Sequence, residues 1–136
     1  MKKLIIILGC VIGVSGCVTP ATQMIDNKFL DVELTPPKFT GTWTTAAGGG
    51  LSTIRLDSDG KGVMCEDNGR TLNVYQLRNS HGIIYTQSGM SLKTINIDPN
   101  LLVVRTTFSA FNATLNFKGD NNLKLASPKC INELVK

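Results

Sequence analysis

A chain of 136 residues, 42% hydrophobic and only 6% aromatic, is one domain's worth of protein. Fourteen Lys and Arg against ten Asp and Glu give a net charge of +4. The basic residues stand singly among polar ones, as at Arg55, Lys61, Arg70, Arg78, Lys93 and Arg105, instead of clustering with aromatics, which argues against a nucleic-acid surface. One His and four cysteines without a C-x-x-C leave zinc and thiol-redox chemistry without their ligand patterns.

The first element is an export signal. Met1-Lys2-Lys3 is followed by Leu4 to Val14, apolar apart from a Gly and a Cys. That run is too short to cross a hydrocarbon core of ~30 Å, which takes about 20 apolar residues, but it suits a signal-peptide core. Val14-Ser15-Gly16-Cys17 closes it and resembles the lipobox of bacterial lipoproteins. In that family the cysteine thiol receives a diacylglyceryl group, the chain is cut just before it, and the freed amine takes a further acyl chain such as palmitate. The resemblance implies that residues 1–16 are removed and that Cys17 is the lipidated first residue of the mature protein. Ile7-Leu8-Gly9-Cys10 is a rival, but cutting there would halve the apolar core and leave Val11 to Val14 behind, so Cys10 is expected to leave with the signal. Each buried methylene adds ~0.8 kcal/mol, and two or more chains make anchoring stable. Gram-negative lipoproteins commonly carry Asp after the modified cysteine when retained at the inner membrane. Val18 in that place implies the outer membrane, with the domain on its periplasmic or surface face.

The next stretch, residues 17–38, reads as a lipidated N-terminus and flexible tether. It has no strict period and ends in Pro36-Pro37, which favours an extended path. A short helical piece around Gln23 to Leu30 is conceivable, with Met24, Ile25 and Phe29 on one face. Losing the signal leaves twelve basic against ten acidic side chains, a net +2, so half of the apparent basicity belongs to the leader. It also leaves Cys65 and Cys130, which an oxidising compartment turns into one disulfide, the alternative being two free thiols. The bridge would close a loop worth roughly 4 kcal/mol by chain entropy.

From Phe39 to the C-terminus, residues 39–136, short β-rich runs alternate with turn residues about every ten positions. Strands are predicted at Thr40 to Thr45, Leu51 to Asp57, Gly62 to Glu66, Thr71 to Arg78, Gly82 to Gln87, Ser91 to Asp98, Leu101 to Phe108, Ala113 to Lys118 and Asn122 to Ala126. Asn68-Gly69 suits a type I′ hairpin, Asp57 to Gly60 a type I turn with a glycine bulge, and Gly48-Gly49-Gly50 a hairpin tip or bulge. Pairs two apart predict the inward face: Ile54 and Leu56, Leu72 and Val74, Ile95 and Ile97, Leu115 and Phe117, Leu123 and Leu125. The fold expected is all-β, a small antiparallel meander barrel of about eight strands, closed to protect its edges and filled by side chains.

Gly41-Thr42-Trp43 resembles the G-x-W that opens lipocalin-like barrels. That likeness implies a tryptophan plugging a closed end and a pocket for an apolar ligand. The residues alone make Trp43 a core aromatic with its N–H bonded locally. Ser80-His81-Gly82-Ile83-Ile84-Tyr85 and Phe117-Lys118-Gly119 are similar to the Ser-Gly-Tyr loop and Lys-Gly turn of small lipoproteins that inhibit c-type lysozymes. Asp57-x-Asp59-Gly60 lacks the spacing of a calcium loop, and Ser80-His81 are sequence neighbours that do not face each other. No metal, cofactor or catalytic group is expected. The chain thus reads as a small Gram-negative envelope lipoprotein with a non-catalytic β-domain that binds a protein or envelope ligand; lysozyme inhibition and carriage of a small apolar ligand are the alternatives.

Overall fold

A computed structural model describes residues 28–106 and 112–136. The signal and the first half of the expected tether, Cys17 included, lie outside those residues, as do Thr107 and Phe108 of the seventh expected strand. Eight antiparallel strands close into a barrel in sequence order, as expected. They are β1 (Gly41–Ala47), β2 (Gly50–Leu56), β3 (Lys61–Asp67), β4 (Leu72–Ser80), β5 (Ile83–Thr86), β6 (Ser91–Ile97), β7 (Leu101–Thr106) and β8 (Thr114–Gly119). The seam is the shortest pairing, with Trp43 opposite Gly119 and Thr44 opposite Lys118.

Turn chemistry fixes the connections. Gly48 and Gly49 both take left-handed backbone, φ 62° and 78°, and join β1 to β2 as the two-residue turn whose twist matches a hairpin. At the β3–β4 connection only Gly69 does so, correcting the I′ turn expected at Asn68-Gly69. There the Asn68 carbonyl side chain accepts from the N–H of Arg70 and Thr71, so four residues are held in a side-chain-capped loop. The Asp57–Gly60 turn forms as expected, with Gly60 donating to the Asp57 carbonyl at 3.1 Å.

The interior is built by the period-two face that carries Trp43, Ile54, Leu56, Met64, Leu77, Ile84, Leu92, Leu102, Val104 and Phe117. One expected pair and one member of another face the other way. Leu72 and Val74 are each 37% exposed, while Tyr75 and Leu77 turn inward. Val74 is registered with Cys65, whose sulfur must point outward to reach Cys130, and β4 follows that parity. Ile95 is 48% exposed because the β6–β7 register shifts between Thr94 and Asn96, leaving it out of the ladder; Ile97 still packs against the core.

The ninth expected strand, Asn122 to Ala126, does not form. After β8 the chain crosses the outside of the barrel, and buried Asp120 takes over the hydrogen bonds a strand would have made. Its carboxylate accepts from the N–H of Leu125 at 3.0 Å, the N–H of Ala126 at 2.9 Å and the Thr44 hydroxyl at 2.8 Å. The Asn121 side chain accepts from the Thr42 N–H at 2.9 Å, so this segment clasps the short seam from outside. Leu125 is exposed, and Leu123 joins a second apolar cluster with Val63, Cys65, Cys130 and Leu134. That cluster lies beneath a helix, α1 (Pro128–Leu134), capped by the Ser127 side chain on the Cys130 N–H. Cys65 and Cys130 are disulfide-bonded, with Cα atoms 5.7 Å apart, and Arg55 donates to the Leu134 carbonyl at the far end of α1.

The chain before β1 is tied down at one end of the barrel instead of beginning at Phe39. Thr35 donates its N–H to the Asn79 carbonyl at 2.9 Å, accepts from the Asn79 side chain at 2.8 Å, and takes the His81 N–H on its hydroxyl at 2.7 Å. Of the helical piece expected around Gln23 to Leu30, the described part is a single 3-10 turn, Phe29–Asp31.

Candidate functional site

The two ends of the barrel differ. The end bearing the β2–β3, β4–β5 and β6–β7 turns is plugged. Trp43 is fully buried there, and its indole N–H donates to the Asp98 carbonyl at 2.9 Å. Its partner lies 55 residues away in sequence, so the expected local bond is replaced by one across the barrel. The Asp98 carboxyl is held below the usual carboxylate range by the N–H of Asn100 first, then by the Asn96 side chain and the Leu101 N–H, which fixes the turn that receives the tryptophan.

The opposite end, formed by the β1–β2, β3–β4 and β5–β6 turns, holds a cup of about 260 Å³. Leu51, Met64, Met90, Leu92 and Leu115 give it an apolar wall, and Ala47, Gly48, Asn68, Asn73 and Thr106 stand around it. A filled barrel was expected; the filling stops short because the inward positions at this end carry Ser52, Asn73 and Thr106 where the plugged end has Trp43, Leu102 and Phe117. Gly50 shapes the rim, since a Cβ there would stand 2.2 Å from the Asp67 carbonyl oxygen.

Two polar residues of neighbouring strands stand opposite each other in the wall. Glu66 on β3 follows Met64 at the same inward parity, and Ser52 on β2 is registered directly opposite it. Burial among apolar side chains raises the Glu66 pKa above the usual glutamate range. Tyr75 is raised too, chiefly by its own burial and further by the Glu66 charge, which places the two groups within electrostatic reach. Asp67, one residue on, faces the outer side. The Gly69 N–H first and the Ser127 hydroxyl second hold its carboxyl below the usual range; burial opposes them, and Lys129 adds a lesser lowering effect. Ser52 is 4% exposed, and its hydroxyl has no hydrogen-bond partner within the described protein.

A raised folded-state pKa means that ionised Glu66 weighs against folding at neutral pH, and that this penalty disappears as pH falls through its folded value toward about 4.3, the unfolded one. Glu66→Gln is therefore expected to melt above the parent at pH 7, with the gap closing by about pH 4. Thermal unfolding across that range checks it; a parent more stable than the variant at pH 7 would contradict the assignment.

The remaining sequence candidates are dispersed. Cys65 and Cys130 are brought together, whereas Cys17 lies outside the described residues. His81 is exposed in left-handed backbone, its ring 3.3 Å from Glu33, and the neighbouring Ser80 belongs to β4. Lys118-Gly119 is not a turn: both residues pair with β1 in the seam, and Phe117 points into the core. Asp57 pairs with Arg55, and Asp59 caps the Lys61 N–H. Glu66 and Ser52 were missed, although the two-residue step from Met64 to Glu66 was visible. Neither protein-family models, nor curated proteins, nor solved structures give a match to this chain.

Proposed function

We propose that the protein is an outer-membrane lipoprotein, held by acyl chains on Cys17, whose barrel is a non-catalytic module binding a small, largely apolar envelope ligand in its open end. The cup carries this reading: an apolar wall interrupted by two converging polar groups is the usual make-up of a small-molecule site. The geometry adds an orientation. The segment leading back toward Cys17 is fastened at the plugged end through Thr35, so the cup opens on the side away from that attachment.

The binding test uses the mature chain, residues 17–136 with Cys17→Ser to leave out the lipid, titrated with the neutral fluorophore N-phenyl-1-naphthylamine. Saturable one-to-one uptake that is abolished by Leu115→Trp, a substitution that fills the cup, supports the reading. Uptake unaffected by that substitution overturns it. Inhibition of a c-type lysozyme without fluorophore uptake would transfer the function to the Ser80–Tyr85 hairpin. Anchoring is tested in cells with a fatty-acid label, which the parent chain takes up and its Cys17→Ser variant does not.

A further inference from the structure

Resting on the reading of the open end as a ligand cup, we propose that its ligand is a protonated amine on a short apolar body. The ammonium group sits between Glu66 and Ser52, and the body lies against Met64, Met90, Leu92 and Leu115.

Three observations converge on that chemistry. The first is charge. Glu66 and Asp67 are the ionisable residues among those lining the cup, and no Lys, Arg or His lines it with them. Asp67 is turned outward and taken by Gly69 and Ser127, so Glu66 is the acid that faces the cup. A half-buried carboxylate without a cationic partner favours a ligand that brings one, and repels an anion.

The second is the Ser52 hydroxyl, buried opposite Glu66 and without a partner. An unpaired buried hydroxyl is costly, and a donor arriving from the cup would satisfy it. An ammonium has three N–H donors on one atom and no acceptor. One can go to each of the two wall oxygens; a neutral hydroxyl can bridge the same pair, but only the ammonium brings the charge that Glu66 lacks beside it.

The third is size. At about 260 Å³ the cup falls below the roughly 300–1,000 Å³ of sites for drug-sized ligands, so the apolar body is short. Two of its wall residues, Met64 and Met90, are unbranched thioethers that adjust to irregular shapes, which suits an alkyl chain or small ring without demanding one outline.

Octylamine, octanol and octanoate share an eight-carbon body and differ in head group, so titrating each into the mature Cys17→Ser chain at pH 7 isolates the head. The amine is expected to bind about tenfold tighter than the alcohol, the increment of a charge-assisted hydrogen bond in a partly desolvated site, with octanoate weakest. Glu66→Gln should bring amine and alcohol to within about twofold of each other. Ser52→Ala should weaken the amine several-fold and keep its preference. An amine no tighter than the alcohol, or a preference that survives Glu66→Gln in a variant with the parent's near-ultraviolet circular dichroism, overturns the proposal and leaves the cup reading in place. Failure of all three compounds to bind overturns the proposal, and removes the cup reading as well when the fluorophore also fails to bind.

Discussion

Trp43→Ala is expected to cost about 3–5 kcal/mol, the range for removing a large aromatic from a core that cannot collapse around the gap. The site has little means of collapsing. Trp43 lies on β1 between its partners Ile54 on β2 and Gly119 on β8, and the glycine contributes no side chain to close over a void. The same strand carries half of the short seam, so a loosened β1 weakens barrel closure as well as packing. The substitution also leaves the Asp98 carbonyl without the indole N–H it accepts. Domains of this size are stable by about 5–15 kcal/mol, so the loss is a large fraction of the total, and the melting temperature should fall by about 12 °C or more. Trp43→Phe separates the contributions, because it keeps most of the apolar volume and loses the N–H; a cost of about 1–2 kcal/mol is expected there. Circular dichroism is the suitable probe, since the chain has one tryptophan. A Trp43→Ala protein within 1 kcal/mol of the parent would mean that the plugged end is not the mechanical foundation of the barrel.

The strands were legible because a barrel wall with one wet face must alternate, and turn residues at regular intervals interrupt the alternation. Alternation failed where both parities are apolar. Leu72 and Val74 compete with Tyr75 and Leu77 for the inside of β4, and the sequence offers no local means of choosing. A tertiary constraint decides, since Val74 shares the outward parity of Cys65. The two-residue spacing of Leu123 and Leu125 mimicked a ninth strand for a related reason. Whether a backbone N–H joins a ladder or goes to a carboxylate depends on where Asp120 lands, and that is set by barrel closure. The helix was more accessible than the reading allowed: Ser127-Pro128 is an N-cap followed by a first-turn proline, and Cys130 and Leu134 stand four apart on one face. Glu66 could be placed on the inward side from Met64, but its burial among Met90, Leu92 and Leu115 required knowing which strands meet across the barrel. That is why the cup escaped a reading made strand by strand.

Breaking the Cys65–Cys130 bridge is expected to cost about 2–5 kcal/mol, the usual range for a native disulfide in a small domain. The sequence separation of 65 residues is more than half of the described chain, so the unbridged unfolded state gains a large conformational freedom. The folded state also depends on the bridge locally. α1 has seven residues, too few to be helical alone, and it is held on the outside of β3 by Cys130, by Leu134 packing near Val63, and by the Arg55 bond to the Leu134 carbonyl. The barrel's own hydrogen bonds run unbroken through β1 to β8 without α1, and Asp120 fastens the crossing segment as far as Ala126. Loss of the bridge should therefore act in two stages. The melting temperature falls by on the order of 10 °C. Below that transition the chain after Ala126 opens first, so trypsin cuts after Lys129 while the β signal in circular dichroism persists. Cys65→Ser, Cys130→Ser and the double variant should be equally destabilised, because each removes the same single bond and the costs do not add. A double variant markedly worse than either single one would show that the two sulfurs stabilise the protein mainly as separate buried groups, and simultaneous loss of α1 and the barrel would make the helix part of the barrel's cooperative unit.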